Sequence, residues 1–172
     1  DTVPFGCWKK DVFNKYGFYD ERLIRNQDIE LNKRIVRGGG HIFIVPDTYC
    51  TYLARETFDG LAKNNFGNGK WNILTVYYTK QFKSLSVRHF IPLLFLLSLI
   101  VPSILACFYF PIGIISLISL LLYIFLISII SLSLALKKKL CFLYLMKAFV
   151  FLHMSYGWGS LVGIINMIGY RK

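Results

Sequence analysis

Two long apolar runs without a charged residue dominate the second half of the chain. The first, residues 91–110, has 20 residues, and the second, residues 112–136, has 25, with only Pro111 between them. At about 1.5 Å per residue, a helix of 20 residues is roughly 30 Å long, which matches the hydrocarbon core of a bilayer. The sequence therefore predicts two transmembrane helices that form a tight hairpin.

A third apolar region, residues 148–168, is the predicted third transmembrane helix. It follows Lys147 and contains His153. Because polar side chains are costly inside a bilayer, a position partly in the membrane interface is the alternative. Gly159 and Gly163 have the four-residue spacing of small residues that lets two helices approach closely. The pair therefore indicates a helix-packing contact.

The excess positive charge of the chain surrounds these apolar runs. Residues 1–59 hold nine basic and nine acidic side chains, so the net charge of +11 comes entirely from later residues. Lys80, Lys83 and Arg88 precede the hairpin, and Lys137–Lys139 follow it. Because basic residues favour the cytoplasmic side, we expect a multi-pass protein of the cell membrane with its water-facing part in the cytoplasm. The pattern favours membrane lipids as partners and gives no support for nucleic acid, which requires a basic face on a folded domain.

Residues 1–80 have the composition of a water-facing region with two short helices. Apolar side chains recur at helical spacing over residues 8–16, and Gly17 is placed to end that helix. Asn26 is a predicted N-cap, and residues 38–40, all glycine, end the helix that follows it.

Strand-forming residues come next. Residues 41–46 are rich in β-branched and aromatic side chains, which predicts a β-strand, and residues 49–53 form a second, shorter candidate. Helical stretches are expected from about Thr57 and over residues 70–80. The first 80 residues are thus expected to mix helix and strand.

Asp28 and Glu30 follow the predicted N-cap of the second helix. The unpaired N–H groups and the dipole at a helix start favour an ionised carboxylate. Such a carboxylate beside a cleft can serve as a general base. The alternative is that both acids simply favour the start of the helix.

The order of several short motifs resembles family-2 glycosyltransferases of the GT-A fold, in particular the bacterial membrane-anchored exopolysaccharide type. The motifs span roughly residues 2–75 and are Val3-Pro-Phe-Gly-Cys-Trp-Lys-Lys-Asp-Val-Phe, Gly17-Phe-Tyr-Asp-Glu, Arg25-Asn-Gln-Asp-Ile-Glu-Leu-Asn-Lys-Arg-Ile and Gly39-Gly-His-Ile. The resemblance implies that residues 1–80 are the α/β C-terminal part of a GT-A-like catalytic domain. Residues 81–172 would then be its α-helical transmembrane region.

The resemblance also implies roles for residues near the second helix. Asp28 takes the place of the base that deprotonates the acceptor hydroxyl, and Gln27 replaces the usual glutamate before it. Glu30 would support the helix start or contact the acceptor. Gly6 corresponds to a small residue that lets the donor and acceptor sugars approach the backbone, and a plain turn glycine is the alternative.

Lys70 and Trp71 match part of a motif found in processive members of that family. The resemblance assigns the basic residue to the diphosphate and the indole to a sugar ring. Lysine neutralises phosphate as a point charge and lacks the bidentate fork of arginine. Trp71 could equally be an interfacial anchor before the membrane.

The resemblance places the nucleotide-sugar donor site in an N-terminal half with an Asp-x-Asp motif, which this chain does not contain. A divalent cation, Mg²⁺ or Mn²⁺, is expected in the full-length enzyme, with its ligands outside this chain and no metal ligand assigned within it. The expected function is transfer of a sugar from a nucleotide-sugar to a saccharide or lipid-linked acceptor. The alternative is a non-catalytic membrane protein, or a truncated relic, that assists polysaccharide export.

Overall fold

The computed structural model of the chain describes residues 6–81 and 87–169. Residues 3–5 of the first motif and Lys83 lie outside these ranges. Within them the chain forms six α-helices, with short 3₁₀ turns at Val87–Phe90 and Phe110–Ile112. The helices are α1 (Lys10–Tyr16), α2 (Gln27–Arg37), α3 (Phe58–Thr79), α4 (Ile91–Leu105), α5 (Gly113–Lys138) and α6 (Phe142–Gly169).

The predicted α/β fold is wrong. The structure is 73% helix, and the described residues contain no β-strand or sheet. Residues 41–46 and 49–53 form no regular structure, and Phe43 is 85% and Tyr49 96% exposed. Such residues favour a strand only where a neighbouring strand pairs with the backbone and packs against the side chains. No such neighbour exists in the described part of the chain, so residues 6–80 do not form the α/β part of a GT-A-like domain.

The two short helices before this segment were predicted correctly. α1 ends at Gly17, whose φ of 82° suits glycine and whose N–H donates to the Phe13 carbonyl oxygen at 2.9 Å. α2 begins directly after Asn26 and ends at Gly38, whose N–H donates to the Arg34 carbonyl oxygen at 3.0 Å. Local signals were sufficient here because helix ends depend on the residues beside them.

α3 is one continuous helix where the sequence suggested two stretches. Thr57 caps it, because its hydroxyl oxygen accepts a hydrogen bond from the Gly60 N–H at 3.0 Å. Gly67 and Gly69 lie inside the helix without ending it. The predicted boundary between the two regions, at residue 80, comes directly after the end of α3 and stays a prediction.

Three helical segments are long and apolar enough to cross a membrane: Val87–Leu105, Phe110–Lys138 and Phe142–Gly169. This agrees with the expected transmembrane character of the second half of the chain. α4 ends at Leu105, earlier than the apolar run, because the chain turns there and the Tyr109 N–H donates to the Leu105 carbonyl oxygen at 3.0 Å. α6 starts at Phe142, earlier than the predicted start at residue 148.

α4 and α5 form the predicted hairpin. The Ser116 hydroxyl of α5 donates to the Leu99 carbonyl oxygen of α4 at 2.8 Å. Farther along, the rings of Phe95 and Tyr123 stack with centroids 4.2 Å apart. Residue numbers in these contacts fall on one helix as they rise on the other, so the two helices are antiparallel.

α3 and α6 pack lengthwise with their backbones in close contact. A Cβ atom on Gly159 would overlap the Phe66 carbonyl oxygen, and one on Gly163 would lie 2.8 Å from the Lys70 carbonyl oxygen. The residue numbers in these contacts rise together along both helices, so α3 and α6 run in the same direction. The prediction that this glycine pair makes a helix-packing contact is confirmed.

Candidate functional site

Arg25 fastens the loop before α2 to the side of α3. Its Nη1 donates to Asn68 Oδ1 at 2.7 Å, and to both the carbonyl oxygen and Oδ1 of Asn64 at 3.2 Å. Gly67 lies beneath the guanidinium, where a Cβ atom would come within 2.8 Å of the Arg25 Cζ. Hydrogen bonds from a charged donor are the stronger ones, so this contact holds the loop firmly on α3.

Asn26 adds a second attachment to α3. Its φ of 65° is left-handed, a conformation that asparagine tolerates better than most residues. Its Nδ2 donates to Asn72 Oδ1 at 2.7 Å and to the Thr75 hydroxyl at 3.2 Å. Asn26 thus occupies the predicted N-cap position, but its side chain makes no capping hydrogen bond to α2.

The same network continues to α6. Asn72 Nδ2 donates a hydrogen bond to the Tyr156 hydroxyl, and both side chains are buried. Tyr156 is 84 residues farther along the chain than Asn72. Three elements, the start of α2, the middle of α3 and the middle of α6, are therefore joined by side-chain amide and hydroxyl groups.

Asp28, the predicted base, lies in the first turn of α2. It is half-buried and shares a helix side with Leu31 and Asn32, three and four residues later, which are both buried. Its carboxylate makes no hydrogen bond or ion pair with the residues that the structure describes. Gln27 beside it is used structurally, because its Nε2 donates to the Leu23 carbonyl oxygen.

Glu30 points to a different side of α2 and is 7% exposed. Its carboxylate forms an ion pair with Arg34 at 2.5 Å. Arg34 also donates to the Tyr16 carbonyl oxygen, and its Nη2 donates to the Phe18 carbonyl oxygen at 2.9 Å. Glu30 therefore orients an arginine that holds the α1–α2 connection.

A polar cavity of about 380 Å³ opens next to Glu30, between α2 and the C-terminal end of α3. Asp20, Arg22 and Tyr78 also line it. Arg22 binds Asp20 through two hydrogen bonds, at 2.7 and 2.9 Å. This guanidinium holds the pKa of the Asp20 carboxyl below its ordinary value. Asp28 does not line this cavity.

The two predicted contact residues on α3 lie on different sides of that helix. Trp71 is three residues from Asn68 and four from Thr75, so it lies on the side that binds the α2 loop. Lys70 is four residues from Phe66 and three from Ile73, which contact the α6 glycines. The structure thus places Trp71, but not Lys70, on the side of α3 that faces the start of α2.

Gly6 is exposed, and the indole ring of Trp8 covers its Cα. A side chain at this position would have to displace that ring. The role in sugar approach assigned to Gly6 stays a prediction, as do the roles of Asp28, Gln27, Glu30, Lys70 and Trp71.

The described residues contain no group of three or more His, Cys, Asp or Glu side chains that could hold a metal ion. The expectation of Mg²⁺ or Mn²⁺, with ligands outside this chain, stays a prediction.

Sequence reasoning missed the polar network that positions α2. A signal was present, because asparagines at 64, 68 and 72 followed by Thr75 form one polar stripe along α3. Their partners on the α2 loop and on α6 could not be read from that spacing.

No protein-family model, curated protein or solved structure matches the chain.

Proposed function

We propose that the chain takes part in transferring a sugar from a nucleotide-sugar donor to a saccharide or lipid-linked acceptor at the cytoplasmic face of the cell membrane. The observation that carries the proposal is Asp28, a half-buried carboxylate in a first helical turn without a side-chain partner among the described residues. A partly buried acid that no structural contact uses is a candidate for proton transfer. The order of the sequence motifs supplies the reaction class.

In this proposal Asp28 acts as the general base. Its carboxylate accepts the proton of an acceptor hydroxyl while that oxygen forms a bond to the anomeric carbon of the donor sugar. The bond from that carbon to the nucleoside diphosphate breaks on the opposite face, so the anomeric configuration is inverted.

Trp71 is the best placed of the proposed sugar contacts, because it lies on the side of α3 that binds the α2 loop. An indole offers a large flat apolar surface to one face of a sugar ring. Lys70 is assigned to the diphosphate by the motif order alone. The expected divalent cation has no ligand set among the described residues, and no step above depends on it.

The proposed orientation places Lys137–Lys139 in the cytoplasm and the α4–α5 turn on the outer face. Support comes from the three basic residues at the C-terminal end of α5 and from the absence of charge between residues 89 and 136. This orientation puts α1 and α2 on the side where nucleotide-sugars are available.

A non-catalytic membrane protein that assists polysaccharide export is the second candidate. It is favoured by one observation: Asp28 does not line the polar cavity next to Glu30.

The test compares Asp28→Asn with Asp11→Asn, which changes an exposed acid in the first turn of α1. Membranes that contain the natural protein are incubated with a panel of labelled nucleotide-sugars, and label in polysaccharide or lipid is measured. Removing a general base lowers the rate by about 10²- to 10⁴-fold, so Asp28→Asn should lose transfer while Asp11→Asn keeps it. Full activity of Asp28→Asn would refute the base assignment. Absence of transfer by the unchanged protein with every donor would favour the second candidate.

A further inference from the structure

We infer that Tyr156 of α6 is a positioning residue that fixes the start of α2 relative to the membrane helices. The inference rests on the proposed function only for the role of Asp28. The contacts themselves run from the Tyr156 hydroxyl through Asn72 to Asn26, two residues before Asp28.

The first step concerns the polarity of the Asn72 amide. An asparagine side chain has an NH₂ group that only donates and an oxygen that only accepts. Nδ2 of Asn72 is bonded to the Tyr156 hydroxyl, which leaves Oδ1 to accept from Asn26 Nδ2 at 2.7 Å. If the amide turned over, its NH₂ group would face the NH₂ group of Asn26. The NH₂ group of Asn26 therefore fixes the orientation of the Asn72 amide, and in that orientation the tyrosine hydroxyl is the acceptor for the Asn72 NH₂ group.

The second step concerns burial. Asn72 is 8% exposed and Thr75 is 1% exposed, so water has little access to replace a lost partner. A buried amide without a partner is strongly disfavoured. Loss of the hydroxyl should therefore disturb the whole connection.

The third step concerns the close approach that brings Tyr156 to Asn72. A Cβ atom on Gly69 would overlap the Tyr156 carbonyl oxygen and lie 2.9 Å from the Ser160 nitrogen. Gly69 therefore lets the backbone of α3 lie directly against that of α6. This contact sets the distance over which the Tyr156 side chain reaches Asn72.

The last step concerns Asn26 itself. Its left-handed conformation forms the bend that leads into α2, and its carbonyl oxygen accepts from the Glu30 N–H at 2.9 Å. Asn26 thus sets where the first turn of α2 begins. Through Asn26 and Asn72, a residue of a membrane helix determines where the proposed base stands.

The test uses Tyr156→Phe, which removes the hydroxyl and keeps the ring. Its matched control is Tyr144→Phe on the same helix, where the side chain is exposed and its ring stacks on Phe58. Backbone hydrogen exchange is measured by mass spectrometry on the full protein in lipid nanodiscs. We expect exchange in residues 30–33, whose N–H groups bond within the first turns of α2, to accelerate about tenfold in Tyr156→Phe and to stay unchanged in Tyr144→Phe. Exchange in α5 reports whether the membrane helices remain folded.

A change confined to α3 and α6, with unchanged exchange in residues 30–33, would overturn the inference. Sugar transfer provides a second readout. A displaced base should lower kcat for transfer while leaving the KM for the nucleotide-sugar unchanged, since the donor does not bind Asp28 in the proposed reaction. If exchange changes as expected but the unchanged protein transfers no sugar, the positioning role of Tyr156 stands and the proposed function fails.

Discussion

The backbone carbonyl oxygen of Phe66 on α3 occupies the place where a side chain on Gly159 of α6 would have to stand. The two helices therefore touch through their backbones, and glycine is the residue that permits it. This contact matters beyond local packing, because α3 carries the polar stripe that holds the loop before α2. Any change that separates the two helices should also move the proposed site.

Gly159→Ala should destabilise the protein, since the added methyl group meets backbone and not a flexible side chain. We expect a loss of roughly 1 to 3 kcal/mol in the free energy of unfolding, the usual effect of overpacking. The matched control is Gly169→Ala near the end of the same helix, where no atom lies within 4 Å of an added Cβ atom. Unfolding by denaturant in detergent micelles measures both, and equal stabilities of the two variants would contradict the packing argument.

Arg34→Lys should loosen the connection between α1 and α2. Arginine here serves Glu30 and two backbone carbonyl oxygens at once, and lysine lacks the planar fork that makes this geometry available. We expect a loss of about 2 kcal/mol in the free energy of unfolding. Arg37→Lys is the control, because Arg37 is exposed on the last turn of the same helix. Unchanged protease resistance near Tyr16 in Arg34→Lys would argue against this role.

The ion pair of Asp20 with Arg22 should make the free energy of unfolding depend on pH in the acidic range. The guanidinium lowers the pKa of the folded-state carboxyl below its ordinary value of about 4. The contribution of this ion pair to the free energy of unfolding is therefore fully present when the pH is above the ordinary pKa. It is lost as the pH falls through the lowered folded-state pKa. The difference in unfolding free energy between the unchanged protein and Arg22→Gln should shrink below about pH 4. A difference that stays constant from pH 6 to pH 2 would show that the pair does not act through this carboxyl.

The proposed orientation can be tested with two native cysteines. Cys107 lies in the α4–α5 turn and Cys141 in the α5–α6 turn, and both are exposed. In each of two variants, three of the four cysteines are replaced by alanine. One variant keeps only Cys107, and the other keeps only Cys141. A membrane-impermeant thiol reagent added to intact cells should label the Cys107 variant and spare the Cys141 variant. The reverse labelling pattern would invert the proposed orientation.

The membrane helices could be predicted from the sequence because crossing a bilayer requires length and hydropathy, which a single segment either has or lacks. The ends of α1 and α2 were also predictable, since glycine and asparagine act on the turns next to them. The end of α4 was misplaced because apolar composition continues past the point at which the chain turns. The start of α6 was misplaced because Lys147 lies inside the helix and not before it.

The strand at residues 41–46 shows why the fold class could not be predicted in the same way. A helix satisfies its own backbone hydrogen bonds, whereas a strand needs a second strand. The residues had the right composition, but the described part of the chain provides no partner. The resemblance to a mixed α/β domain relied on motif order and contained no information about such a partner.

Local sequence determined where α1 ends and where α2 starts and stops, and it placed Asp28 in the first turn of α2. Only the tertiary structure decided that α3 runs alongside α6 and that Tyr156 reaches back 84 residues to Asn72. The physical reason is that helix signals act within a few residues of each other. A buried hydrogen bond between distant side chains exists only after glycines have let two helix backbones come into contact.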